Sequence, residues 1–220
     1  MEKTILTKHQ ATILDHLSWE KDVHENFYLS GGTALAEFYL HHRLSEDLDF
    51  FSEKEFDPQV IQVVLKKIQK KVKLKKIDFQ QSFNRNLFFL SIGNDIVKTE
   101  FTYFPFSPIT NGMNYNELRI DSLLDIAVNK VFTIYQKPRS RDFIDLYCIL
   151  QKERWPFENL IKKAKIKFDW HVDPVQMGSQ LMKVNELKDF PHMTKKIRDS
   201  EWQKFFLKKA EELAGQIFKK

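Results

Sequence analysis

Apolar residues recur along this chain with two different periods, and the changeover between them divides it into elements. Residues 4–25 carry apolar positions at helical spacing. "FYLS" (27–30) is a short apolar strand that runs into Gly31-Gly32, and 33–42 returns to helical spacing through Leu35, Phe38 and Tyr39. "DLDFF" (47–51) alternates as a second strand. Residues 57–72 form an amphipathic helix, apolar at 60, 61, 63, 64, 65, 68 and 72, with Pro58 in the first turn. Strand-like runs follow at 73–80, 86–93 and 96–104, the last two joined by a hairpin turn at Gly93-Asn94-Asp95. After Pro105 and Pro108 the period becomes helical to the end: 121–136, 141–151, 157–166, 174–183 and 199–218. The pattern therefore predicts an α+β half, residues 1–110, followed by an all-helical half, residues 111–220, with the changeover near 106–120.

Composition narrows the class. Of the 220 residues, 42% are hydrophobic and 20 are Phe, enough for a substantial core. A net charge of +5, spread over such a chain, is weak evidence for a polyanionic partner. One cysteine excludes an internal disulfide. No run approaches a membrane span, and "MEKTILTKHQ" has no hydrophobic signal segment, so a cytoplasmic protein is expected. The sequence holds no CxxC, HExxH, GxxxxGK[ST] or nucleophile-elbow motif, which argues against a zinc site, a P-loop and a serine hydrolase.

The chemistry concentrates in "YLSGGTALAEFYLHHRLSEDLDFF", residues 28–51. A strand ending in Gly31-Gly32 and feeding a helix leaves backbone N–H groups aimed at an anion. Thr33 is expected to cap that helix and offer its hydroxyl to a phosphate oxygen. Asp47 and Asp49 are two apart on a strand, so both point to one face while Leu48 and Phe50 enter the core. At a separation of about 4 Å such a pair repels by roughly 4 kcal/mol at an effective dielectric near 20. A divalent cation removes that cost, and an anion site beside a dicarboxylate suits a Mg²⁺-bound nucleoside triphosphate. Taken singly, Asp-x-Asp also fits a solvated strand edge, and Gly-Gly-Thr an ordinary turn. The joint arrangement is far more specific.

"GGTALAEFYLHHRLSEDLDFF" closely resembles the signature of AbiEii/AbiGii-type toxin nucleotidyltransferases, members of the DNA polymerase β-like superfamily. The match lies on Gly31, Gly32, Thr33, Ala34, Leu35, His42, Arg43, Ser45, Asp47, Leu48, Asp49 and Phe50. The resemblance extends to about residue 150. It implies a polymerase β-like α+β core with a mixed sheet, whose cleft the helical half closes. It implies transfer of NMP from NTP to an acceptor, an RNA such as tRNA, by a toxin held in check by a separately encoded antitoxin. Mg²⁺ or Mn²⁺ would sit on Asp47, Asp49 and Glu100, where Glu100 occupies the family's third-acid position in "DIVKTEFTYF" and shares a strand face with Lys98. Gly31, Gly32 and Thr33 would cradle the phosphates. Arg43 and Lys98 would approach the nucleotide.

Two later stretches match as well. In "DSLLDIAVNKVFTIYQ" the charge of Lys130 falls inside an apolar stripe. The resemblance turns it toward the triphosphate, although a lysine there also fits a snorkelling side chain. "RSRDFIDLYCIL" matches the second motif: Ser140 is a plausible N-cap, and Arg141, Asp142 and Asp145 fall on the nucleotide side, one of the aspartates pairing with Lys130 or Arg141. Salt bridging alone would also account for that cluster. Basic runs at 161–167, 193–200 and 208–220 offer acceptor surfaces, or are solvated helix faces. The same chemistry on a small molecule or a protein, and a non-catalytic nucleotide- or RNA-binding protein, are the alternatives.

Overall fold

The computed structural model describes residues 4–217. They fall into two compact units, to Ser122 and from Leu123 onward.

In the first unit, helices α1 (Lys8–Ser18) and α2 (Lys21–His24) precede strand β1 (Tyr28–Ser30). Helix α3 (Gly31–Leu35) continues as a wider π turn (Ala36–Leu40), which ends at His41 in the left-handed conformation. Then follow β2 (Asp47–Ser52), α4 (Pro58–Val72), β3 (Leu74–Ser82), β4 (Arg85–Ile92), β5 (Asp95–Tyr103), β6 (Asn114–Tyr115) and β7 (Leu118–Ile120). The seven strands form one sheet in the order β3-β4-β5-β2-β1-β7-β6. It is mixed: β2 runs parallel to β5, β1 parallel to β7, and the other pairs are antiparallel.

Alternation decides which face is which. In β2 Leu48, Phe50 and Ser52 are buried, while Asp47, Asp49 and Phe51 are half-buried. Phe50 stacks on Phe101 of β5 at 4.7 Å between ring centres, and Phe27 and Phe88 meet Phe101 edge-on. This aromatic layer anchors the acid-bearing strand, because sliding β2 by one residue would drive both aspartates into it. Helix α4 starts as its sequence dictates, with Pro58 in the first turn and the Asp57 carboxylate accepting from the Gln59 N–H.

The second unit holds α5 (Leu123–Gln136), α6 (Ser140–Glu153), α7 (Phe157–Phe168), α8 (Pro174–Met182), a short 3₁₀ turn (Lys183–Asn185) and α9 (Asp199–Ile217). Phe143, Phe157, Trp202 and Phe206 form its aromatic core. The expected end of the last helix at 218, and residues 218–220 of the basic run 208–220, lie outside the described residues.

The structure moves two expected boundaries. The division falls after Ser122 and not at 110, because β6 and β7 extend the sheet on the far side of β1. Ser140 is the first residue of α6 and not its cap; Arg139 holds the cap position, and the Ser140 N–H donates to Asp189 Oδ1 at 2.9 Å.

Candidate active site

The glycine turn and the acid strand lie against each other. Strands β1 and β2 pair so that Ser30 faces Asp49. Gly31 follows with φ +73°, and a Cβ on it would stand 2.6 Å from Asp49 Oδ2. Both the backbone angle and the missing side chain therefore require glycine here. A Cβ on Gly32 would collide with the guanidinium of Arg43. Arg43 is buried against this turn, its Nη1 donating to the Leu44 carbonyl at 2.9 Å.

Thr33 departs from its expected role as a cap. The helix starts two residues earlier, so Thr33 lies inside it and fully buried, and its hydroxyl donates to the backbone carbonyl of Asp47. That bond positions the first aspartate from behind, and Gln10 of α1 adds two more, to the Ser45 and Glu46 carbonyls at 2.9 Å each. Ser30 donates to Asp121 Oδ2 at 2.6 Å, and Tyr39 to the Asp121 carbonyl at 2.8 Å. Asp121, buried at the end of β7, thus holds both ends of the turn-and-helix segment. No motif singles it out in the sequence.

The third acid arrives by register. Strands β2 and β5 pair Asp47 with Lys98 and Asp49 with Glu100, so all four side chains share the half-open face. Lys98 Nζ lies 2.7 Å from Asp47 Oδ2 and 4.0 Å from Glu100 Oε2. Glu100 is buried and gripped by a residue the motif reading missed. Arg85 of β4 donates through Nε and Nη2 to the two carboxylate oxygens, each at 2.6 Å, and the Thr102 hydroxyl adds a bond of 2.9 Å. Burial alone pushes the Glu100 carboxyl up. The Arg85 hydrogen bonds and charge, with Thr102 and Lys98, outweigh it and hold the group below the usual glutamate range. The same pair raises Arg85 further above its ordinary value.

These contacts bear on the expected metal set. Among the described residues no three acidic, histidine or cysteine side chains converge as a metal cluster. Asp47 meets Lys98, and Glu100 turns to Arg85. Asp47 and Asp49 are a same-face pair of hard oxygen donors, which fits Mg²⁺, an ion commonly held by one or two carboxylates with substrate phosphates completing the shell.

The residues expected from the second motif gather within the helical unit. Lys130 lies between Asp142 Oδ1 and Asp145 Oδ2, at 2.7 Å from each. Both carboxylates therefore share the lysine, where one was expected. Arg141 stands half-buried in the first turn of α6. Asp125 is paired with Lys167 at 2.7 Å, both side chains almost fully buried.

A family model, the nucleotidyl transferase AbiEii toxin of type IV toxin–antitoxin systems, matches residues 12–214. The chain belongs to the AbiEii nucleotidyltransferase family. Family membership runs well past residue 150, where the sequence resemblance was expected to fade, and takes in the helical unit. An uncharacterized protein of Aquifex aeolicus is 33% identical over 147 residues, 65% of this chain and 66% of that protein. The match thus spans about two thirds of the relative's length. Two solved structures share the fold of the AbiEii chain. JHP933 from Helicobacter pylori superposes with a TM-score of 0.58 at 18% identity, covering 96% of this chain and 91% of that one. MenT4, a nucleotidyltransferase toxin of Mycobacterium tuberculosis, gives 0.59 at 17% identity over 92% and 82%. No helix among the described AbiEii residues is long and apolar enough to cross a membrane.

Proposed function

We propose that this AbiEii protein transfers a nucleoside monophosphate from an NTP to the hydroxyl of an RNA acceptor, as the toxin of a toxin–antitoxin pair. The observation that carries the reading is the contact between the Gly31 turn and the Asp49 carboxylate on one sheet face. It puts phosphate-seeking N–H groups beside paired oxygen donors. The acceptor oxygen forms a bond to the α-phosphorus, the bond to pyrophosphate breaks, and the hydroxyl proton is lost to solvent. Asp47 and Asp49 would hold Mg²⁺, which supplies charge neutralisation at the phosphates. The backbone at Gly31-Gly32 binds the phosphate tail, with Arg43 packed behind it. Thr33 and Gln10 fix where Asp47 stands. Lys98, shared with Asp47, lies on the same face to meet phosphate oxygens. A role in toxicity and a cognate antitoxin follow from the family.

The test is incubation of the purified protein with each labelled NTP, Mg²⁺ and total RNA. Label should enter RNA with wild type and be lost, by on the order of a hundredfold or more, in folded Asp47→Asn and Asp49→Asn. Label entering protein or a small molecule would replace the acceptor. Near wild-type transfer by either variant would remove the acid pair from the chemistry.

A further inference from the structure

Strand β4 continues the acid-bearing face outward. Its register with β5 places Arg85 opposite Thr102, Leu87 opposite Glu100 and Phe89 opposite Lys98. Phe88, Leu90 and Asn86 point into the core, so Arg85, Leu87 and Phe89 share the open face with Asp49 and Glu100. Leu87 and Phe89 are only half-buried, on a sheet face next to charged groups. Arg85 spends Nε and one Nη2 hydrogen on Glu100. Its side chain is still 52% exposed, and Nη1 takes no part in the bonds to Glu100. The guanidinium is close enough to Asp49 and Asp47 to feel both charges.

From this juxtaposition we infer that the open face of β4 seats the acceptor strand, a single-stranded RNA end whose backbone phosphate meets Arg85 and whose base stacks on Phe89. The inference rests on the nucleotidyl-transfer reading and adds the acceptor's place and chemistry. Glu100 then works as a positioning residue. Its bidentate clamp fixes the plane of the guanidinium, which keeps its remaining N–H groups directed at a phosphate. Arg85 and the half-buried ring of Phe89, on one face of β4 with Leu87 between them, supply the two elements that single strands use, a backbone charge and a sequence-tolerant π face. The buried centre of a protein–protein interface is depleted of charged residues. Here Leu87 lies between Gln80 and Glu100, and Phe89 between Asp78 and Lys98, so the apolar groups are interleaved with charged ones. The face is also continuous with Asp49, so a strand lying on it ends where its hydroxyl is needed.

Binding of a short fluorescent single-stranded RNA to the full-length protein tests this, with Mg²⁺–NTP binding followed in parallel by thermal shift. Phe89→Ala leaves Glu100 untouched and should weaken RNA binding about tenfold, the size of one base–aromatic stack. Arg85→Ala should lower the slope of log K against log salt by about 0.7, one phosphate contact fewer. Since Arg85→Ala strands the buried Glu100, the Arg85→Ala/Glu100→Gln double variant repeats that measurement on a neutral background. Mg²⁺–NTP binding should survive in Phe89→Ala and Arg85→Ala. Wild-type RNA affinity in Phe89→Ala with an unchanged salt slope in the double variant overturns the acceptor face, and RNA labelling by wild type would then leave the transfer reading standing. Loss of Mg²⁺–NTP binding together with RNA binding also overturns it, since the face would belong to the nucleotide. Wild type that neither binds nor labels RNA overturns both readings.

Discussion

At the scale of single residues, Glu100 shows how one side chain can be read correctly in place and differently in partner. Its position on the acid face follows from strand alternation alone. Its grip on Arg85 follows only from the register of β4 on β5. That register was open to counting: a two-residue turn at Gly93-Asn94 pairs Ile92 with Asp95 and carries Arg85 opposite Thr102, diagonal to Glu100. Thr33 departs from its expected role as a cap for a different reason. Its hydroxyl suits either a phosphate or a neighbouring carbonyl, and only the approach of β2 shows that Asp47 takes it. The depressed Glu100 carboxyl makes a prediction of sign. A carboxyl held below its unfolded value contributes stability at and above that value and loses it as pH falls through the folded value. Glu100 should therefore contribute to the loss of stability below the ordinary glutamate range near pH 4.5. Denaturant unfolding of wild type and Glu100→Gln between about pH 6 and pH 3 checks it. The variant should start less stable and show a shallower decline, and parallel curves would mean that the clamp is energetically idle.

At the scale of elements, the long periodic helices were legible and the short strands were not. Helix α4 occupies its predicted span almost to the residue, because an amphipathic stripe, a cap and a proline all agree on it. Strands β6 and β7 have two and three residues, too short for alternation to register, and they carry the boundary with them. Helix α7 shows the limit of reading charge from sequence. Lys162, Lys163, Lys165 and Lys167 look alike in "IKKAKIK", yet Lys167 turns inward to Asp125 with its side chain 2% exposed. Lys130 is the parallel case on α5, an ammonium shared by two carboxylates of α6. Taking that cation from two buried acids should be costly, about 3–5 kcal/mol. Lys130→Met is thus expected to lower the melting temperature by on the order of 10 °C. A triple change that also converts Asp142 and Asp145 to Asn should recover much of the loss, as it removes the stranded charges. A Lys130→Met protein that melts like wild type but transfers no nucleotide would instead assign the lysine to the reaction.

At the scale of the whole molecule, the acid face carries the carboxylates of Asp47, Asp49 and Glu100, with Lys98 and Arg85 close to them. Those cations explain how the sheet folds with Asp47, Asp49 and Glu100 on one side, a juxtaposition that would otherwise cost several kcal/mol. On the proposed reading they would also set the order of ligand preference. A bare divalent ion would have to compete with Lys98 for Asp47, and a bare triphosphate would bring its own negative charge toward Asp49. The two ligands together would cancel each other's penalty. Binding to the folded chain alone stabilises it by an amount set by ligand concentration over its dissociation constant, about 2.7 kcal/mol at a hundredfold excess. Mg²⁺ and NTP added together should accordingly raise the melting temperature by several degrees, and by more than the sum of the shifts each produces alone. Chelator should return the NTP-containing sample to the shift of NTP by itself. In Asp49→Asn the extra, joint part of the shift should shrink while the part due to NTP alone persists, since the Gly31-Gly32 backbone is unchanged. Additive shifts in wild type, or a joint shift untouched by Asp49→Asn, would show that metal and nucleotide meet somewhere other than this face.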